Sequence, residues 1–472
     1  MQNKSFKLNY KRILIIGFAF FGIMMLWQVY NTYCPVISTE LLLEQMKDSL
    51  SHLSAHEKET QVQWIVGVIM ALDNIFALFL LPIFGALSDK TKTKFGKRMP
   101  YIVIGAILSA ISLIFIPIAF AYNSLVGVIL VMAFVLIFMN TYRNPAVSLM
   151  PDITPKPLRT KANGLINLVG YVGAIIAGAL ALFIKTDTYF IRSSASFLSF
   201  PAYVPFIVAS SLIVITTLIL FLTIKENRII NEMKDELERG ESLFLEQNKQ
   251  IIKNTGKNKI NKTDLILILV AIFLWTGGFN ALETFWSNYS TYYIHFSSFS
   301  LSTIVLTIAS LISFFPSGIL ADKIGRKWTI MIGILLLALA VFGIFFLCPI
   351  FTGKVPEGET LAFSYQIIYF ILFAVAGIGW AMINCCSYPM VVELASQDNV
   401  GKYTGYYYTS SMLAQSLTPT CLGLLMTIPN FTWGVTFPYC GILFIISGVV
   451  LFFTSNRSNK SNFKKDVELL LE

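Results

Sequence analysis

Two stretches decide the fold: Pro82-Ile-Phe-Gly85-Ala-Leu-Ser-Asp89 and Pro316-Ser-Gly318-Ile-Leu-Ala-Asp322. Each closes an apolar run with an aspartate and then enters a short basic loop. The first loop carries Lys90, Lys92, Lys94, Gly96, Lys97 and Arg98, the second Lys323, Gly325, Arg326 and Lys327. The aspartates lie 233 residues apart in a chain of 472, close to half its length. Other pairs keep a similar offset: Asn140…Pro145 with Asn384…Pro389, and Lys161…Gly164 with Lys402…Gly405. Repeated spacing of this kind marks an internal duplication.

The rest of the chain is written for a membrane. It is 56% hydrophobic and 13% charged, with a mean hydropathy of +0.69. A soluble domain carries roughly a quarter charged residues. About 20 apolar residues cross a bilayer core as a helix. Twelve such runs are expected, near 13–37, 62–87, 101–122, 125–149, 163–184 and 201–224, then 264–288, 300–320, 328–350, 363–388, 403–428 and 435–454. The fold expected is therefore an all-α membrane protein of two six-helix halves. Its divisions are a first bundle over 1–224, a cytoplasmic loop over 225–262, a second bundle over 263–455 and a tail over 456–472. The basic start (Lys4, Lys7, Lys11, Arg12) lacks a small-residue cleavage site after its apolar run, so it reads as a retained first helix.

Charge placement gives the orientation. With both termini cytoplasmic, 29 Lys and Arg fall inside and five outside: Lys47, Lys58, Lys185, Arg192 and Lys354. This is the positive-inside pattern of a multi-pass cell-membrane protein. It also accounts for the net charge of +9 without nucleic acid. The six cysteines form no CxxC pair and have no histidine nearby, so neither a disulfide framework nor zinc is expected. His52 and His56 have helical spacing but lack a third ligand. The segment 225–262, with nine basic and seven acidic residues, reads as a solvated linker.

The loop pattern Gly-x-x-x-Asp-Lys/Arg followed by Gly-Lys/Arg-Lys/Arg, present after the second and eighth spans, resembles the signature loop of the major facilitator superfamily. The longer first copy, from Asp89 through Gly96 and Arg98 to Pro100, resembles the glycoside–pentoside–hexuronide:cation symporters and sucrose-transporter-like proteins. Tyr142-Arg143-Asn-Pro145 through Pro151-Asp152, with Arg159 following, resembles the region after span four of the latter. The resemblance implies alternating access by two rocking halves. Asp89, Gly96, Arg98, Arg143, Asp152, Arg159, Asp322, Gly325 and Arg326 would then form the cytoplasmic gate. Aligned through the loop, the acidic positions of the glycoside symporters fall on Ala77 and Leu81, a departure from that group.

Ionisable residues within spans are costly and are functional candidates by default. Three stand out: Asp73, Arg143 and Glu283. Asp73 lies near mid-membrane, so Asp73 and Asn74 are the candidates for coupling to H+ or Na+. A permanent ion pair of Asp73 with Arg143 is the structural alternative. Candidate substrate contacts are Trp27, Tyr30 and Asn31 in span one, Asn280 and Glu283 in span seven, and Asn384 and Tyr388 in span ten. These combine polar groups with aromatic faces, as a polyol requires.

No Walker motif and no ATPase-sized soluble segment is present, and no span contains a histidine. A nucleotide-driven pump and an intramembrane enzyme are therefore set aside, and no cofactor is expected. The expected function is cation-coupled transport of a sugar or glycoside by a monomer. A carrier for a nucleoside, peptide or drug is the alternative within transport, and a non-transporting sensor the alternative outside it.

Overall fold

The computed structural model describes residues 6–242, 262–296, 298–352, 361–392, 400–428 and 431–454. Most of the central segment and the 456–472 tail lie outside these, as do the side chains of Lys161, Asp322 and Lys402. Among the described residues the secondary structure is helical, with no strand.

Twelve long helices carry the fold. The first six are α1 (Tyr10–Gln45), α2 (Gln63–Lys90), α3 (Met99–Ala121), α4 (Leu125–Asp152), α5 (Arg159–Phe183) and α6 (Val204–Thr223). The second six are α7 (Lys262–Asn288), α8 (Phe299–Ile324), α9 (Arg326–Thr352), α10 (Phe363–Val392), α11 (Val400–Met426) and α12 (Thr436–Phe452). Eleven are long and apolar enough to cross a membrane by length and composition. The exception, α11, carries Tyr403, Thr404, Tyr406, Tyr407, Tyr408, Ser410, Ser411 and Gln415, which lower its hydropathy. Helix α1 runs eight residues past the expected end at 37, so Glu40 also falls within a long apolar helix.

The duplication is visible in the packing. In the first half α1 packs on α5 and α6, α3 on α4 and α6, and α2 on α4. In the second half α7 packs on α11 and α12, α9 on α10 and α12, and α8 on α10, the same pattern shifted by six helices. Small residues set the closest approaches. A Cβ on Gly105 of α3 would stand 2.9 Å from the Phe138 carbonyl of α4, and one on Gly333 of α9 would stand 2.7 Å from the Gly379 carbonyl of α10. Both loops turn on a glycine in the left-handed region, Gly96 at φ +117° and Gly325 at φ +91°.

The N-terminus of each third helix is tied to the end of the sixth. The buried Glu226 carboxylate accepts from the backbone N–H groups of Lys97 (2.9 Å), Arg98 (3.0 Å) and Met99 (3.1 Å) at the start of α3. These N–H groups have no partner within the helix, and the dipole favours an anion there. Lys327 at the start of α9 donates instead to the Phe452 and Thr454 carbonyls at the end of α12 (2.8 and 2.6 Å). The central segment is thus not solvated throughout: its opening turn is part of the first bundle.

The halves meet along α2–α11, α5–α8 and α1–α7. On the face away from the basic loops, here the far face, backbones touch. A Cβ on Gly67 would lie 2.8 Å from the Pro419 carbonyl, and one on Gly423 would lie 2.5 Å from Cα of Trp64. Asn288 of α7 donates to Thr39 of α1 (2.9 Å) and to Gln63 of α2 (2.8 Å). Near the basic face the halves separate. A Cβ on Gly164 of α5 or on Gly405 of α11 meets nothing within 4 Å. The molecule is closed on the far face and open on the basic face.

Removing the Glu226 acceptor leaves three N–H groups unpaired, two of them buried. Glu226→Ala is expected to destabilise the first half by about 1–3 kcal/mol, read as earlier thermal unfolding in detergent, with Glu226→Gln intermediate.

Candidate functional site

The centre of the site is one indole. Trp27 of α1 donates its Nε1–H to Asp73 Oδ2 of α2 at 2.8 Å. The guanidinium of Arg143, from α4, lies over the same ring, 4.1 Å from its centroid. The aromatic face attracts the cation while the edge satisfies the anion. Asp73 and Arg143 are therefore joined through Trp27 instead of by the simple ion pair weighed as the alternative. Asp73 is 5% exposed, and its second oxygen, Oδ1, is buried without a hydrogen-bond partner. Arg143, grouped by sequence with the cytoplasmic gate, thus sits in the interior cluster. The resemblance of the stretch Tyr142 to Asp152 implied the gate, but the side chain turns toward Trp27 of α1.

One turn along α1 from Trp27, Asn31 donates to Glu283 of α7 at 3.3 Å, a bond between the halves. Glu283 is solvent-accessible, although it stands between two packed bundles. Its exposure is to the cleft separating them, and Asp73 lies within electrostatic range. Tyr30 is buried beside Asp73 and Cys34 with its hydroxyl unpartnered, behind the cleft wall. Asn74 is half-buried next to Asp73. Asn280, one turn from Glu283, keeps a buried unpartnered Oδ1.

The second half supplies aromatic faces. Phe279 of α7 stacks on Trp380 of α10 with centroids 3.7 Å apart and planes 2° from parallel. Tyr388 contacts Tyr407 and Tyr408 at 5.5 and 6.3 Å between centroids. Tyr407 shares a hydrogen bond with Ser387 (3.1 Å), and Tyr408 reaches within electrostatic range of Arg143. Asn384 is exposed and turns its amide back onto the Trp380 carbonyl (3.0 Å), as the buried Asn140 does onto Leu136 (2.9 Å). The matched asparagines of the repeat thus play the same part within their own helices.

Sequence reasoning missed Tyr407 and Tyr408. The run Tyr406-Tyr-Tyr408 in a span was the available signal, but a helix spreads consecutive residues around its circumference, so only tertiary packing selects which face the cleft.

The gate residues gather at the basic face of the first half. Arg98 is buried, pairs with Asp89, donates to Asp152 at 2.9 Å and to Ser88 at 2.5 Å, and reaches the Gly85 carbonyl. Lys97 adds a second bond to Asp152 at 3.0 Å. Arg159 donates to the carbonyls of Thr154 (3.1 Å) and Pro151 (2.7 Å), fixing the α4–α5 turn, and burial holds its pKa below the usual arginine value. Gly96 is required where it stands, because the Glu226 carboxylate occupies the place of a Cβ. In the second copy Gly325 ends α8 and Arg326 opens α9. Asp322 lies in α8, its side chain outside the described residues. Among the described residues no group of three or more His, Cys, Asp or Glu could hold a metal ion.

A sequence profile described as the Major Facilitator Superfamily matches residues 16–419 and 295–470. An uncharacterized MFS-type transporter of Methanocaldococcus jannaschii is 24% identical over 409 residues, covering 82% of this chain and 85% of that protein. The isoprimeverose transporter of Lactiplantibacillus pentosus is 25% identical over 281 residues, 58% of this chain and 54% of that one. Among solved structures, the inward open conformation of the xylose transporter XylE from E. coli superposes with a TM-score of 0.66 at 15% identity, over 98% of this chain and 99% of that one.

A double-mutant cycle tests the central cluster. Trp27→Phe keeps a face for Arg143 but removes the donor to Asp73, and Asp73→Asn removes the charge. Their coupling in thermal unfolding is expected at about 1–3 kcal/mol, the worth of a hydrogen bond to a charged group. A coupling near zero contradicts the geometry.

Proposed function

We propose that this chain, which belongs to the major facilitator superfamily and is a multi-pass membrane transporter, carries a small sugar or glycoside together with a proton by alternating access. Membership makes it a carrier and not an enzyme. The sugar, the proton and the assignment of the basic face to the cytoplasm are our reading. The observation that carries it is the Asp73–Trp27–Arg143 cluster beside Glu283, set between two halves sealed on one face and open on the other.

An acid in a low-dielectric interior is kept only at a cost, which a coupling role explains. The groups around Asp73 favour a proton over sodium. Its bonded oxygen meets an N–H donor, and a guanidinium lies across the same ring. A hard cation needs several oxygen ligands and is repelled by a nearby positive charge. The unpartnered Oδ1 is a fitting place for a proton. Loss of that proton leaves a carboxylate held by Trp27 and balanced by Arg143.

Sugar recognition is supported by the Phe279–Trp380 stack, the hydroxyls of Tyr388, Tyr407 and Tyr408, and the polar groups of Asn31, Asn280, Glu283 and Asn384. Stacking against the apolar ring faces of a sugar, with hydrogen bonds to its rim, is the expected chemistry. The isoprimeverose transporter among the relatives supports a glycoside. The longer first loop supports likeness to the glycoside–pentoside–hexuronide group. Asp89, Arg98, Asp152 and Arg159, with Asp322 and Arg326 in the second copy, form the gate at the open face. The clustered basic residues support placing that face in the cytoplasm.

The test is uptake of labelled xylose and isoprimeverose into proteoliposomes under imposed H+ or Na+ gradients. Accumulation is expected with an inward proton gradient and not with sodium alone. Asp73→Asn is expected to keep counterflow exchange and to lose accumulation at least tenfold. Uptake indifferent to every gradient refutes the coupling.

A further inference from the structure

The far-face seal contains two acids that the transport site does not use. Glu40 of α1 is 6% exposed. Its Oε1 accepts from the hydroxyl of Tyr292, in the π-helical turn Tyr289–Tyr293 that follows α7, at 2.8 Å across the seam between the halves, and its Oε2 accepts from the Arg192 backbone N–H at 3.0 Å. Each oxygen of the Glu40 carboxylate thus has a donor, with the Arg192 side chain nearby. Glu59 lies in the short helix Ala55–Gln61, which Ser54 and Glu57 fix with a reciprocal capping box. Its backbone carbonyl accepts from Gln63 (2.9 Å), and Gln63 in turn reaches Thr39, the residue before Glu40 (3.4 Å). Trp433, from the turn that precedes α12 in the other half, is buried, presents its indole N–H to Glu59 and stacks at 6.5 Å on Tyr292.

We propose that Glu40 and Glu59 form a proton-operated lock on the far face, tight while the pair holds one proton and loosened when both carboxylates are charged. Each acid belongs to the first half, and each faces an aromatic group of the second. Closure therefore brings two like charges into one poorly solvated seam, unless one of them is neutralised. Opening returns Glu59 to water, where both charges are tolerated.

The charged and titratable groups facing the pair are Glu44 on α1, Arg192 from the α5–α6 connection and Tyr292 from the turn after α7. Gln63 of α2, the Thr427 carbonyl bonded by Gln61, and Trp433 also border it and do not titrate. Burial, with the Glu40 charge adding to it, pushes the Glu59 carboxyl up to about 8. In the open state it returns toward the ordinary value of about 4.3. Between those values the closed state binds one proton more than the open one. The closed-to-open ratio then falls by up to about tenfold for each unit of rising pH, and levels off outside that window. Acidity on the far side thus closes the far gate.

The lock is separable from coupling at Asp73. Spin labels on genetically encoded ketones at positions 49 and 431, both exposed on the far face, report its width by double electron–electron resonance in nanodiscs without substrate. The short-distance population is expected to shrink as pH rises from 5 to 9. Glu59→Gln is expected to hold the short distance at every pH. Glu59→Asp retains a titrating group and a pH response, and Glu40→Gln moves the midpoint to lower pH. Asp73→Asn in the labelled protein is expected to retain a pH response of the far-face distance. A wild-type width indifferent to pH overturns the lock. So does a Glu59→Gln profile like that of the wild type, or a response that disappears with Asp73→Asn.

Discussion

A charge inside a bilayer must be neutralised, hydrogen-bonded or wetted, and this requirement shapes the centre of the molecule. Trp27 meets it for two residues at once. Its edge serves Asp73 and its face serves Arg143, so three helices of the first half converge on one ring. A direct carboxylate–guanidinium pair would bind itself in a bidentate fork and occupy all its oxygens. The interposed indole leaves Asp73 Oδ1 without a partner. That free oxygen is what lets a buried acid remain chemically available. Glu283 has a different solution: it stands at the edge of the cleft, where water reaches it, and leans on Asn31 of the opposite half.

The duplicated architecture turns this local chemistry into a two-sided machine. Packing pairs recur with a shift of six helices, and the crossings α2–α11 and α8–α5 are the same contact seen from either half. Two such seams flank the cleft. Glycines at the far-face seam let backbones touch, so small rotations there exchange close contact for water. Each bundle is anchored internally, with the start of α3 held by Glu226 and the start of α9 by the end of α12. Rigid bundles on sliding seams allow the halves to rock without unfolding a helix.

The basic-face network belongs to the first half alone in this conformation. Arg98, Asp89, Asp152 and Lys97 satisfy one another, while the halves stand apart at Gly164 and Gly405. Acidic and basic groups at this rim of the first half thus have partners within their own bundle. The far face is sealed by neutral amides and hydroxyls around Asn288, with Glu40 and Glu59 as its ionisable members. The two ends of the transport path thus use different chemistry to hold the same bundles.

Span number, the duplication and the crowding of basic residues on one side were all legible in the sequence. Each is a one-dimensional consequence of apolar run length and charge placement. The aspartate-loop motif and the isolation of Asp73, Arg143 and Glu283 were legible for the same reason, since a charge in an apolar run stands out by itself. What tertiary structure alone decided was who meets whom. Arg143 turned to Trp27 and away from the gate, Tyr407 and Tyr408 joined the cleft, and the longer α1 carried Glu40 into the seam. Glu226, one acid among many in a charged stretch, proved to be a buried cap. Helical periodicity gives each side chain an angle around its own axis, but the rotation and tilt of one helix against another come from packing, and only packing brings an acid, an indole and a guanidinium from three helices to one point.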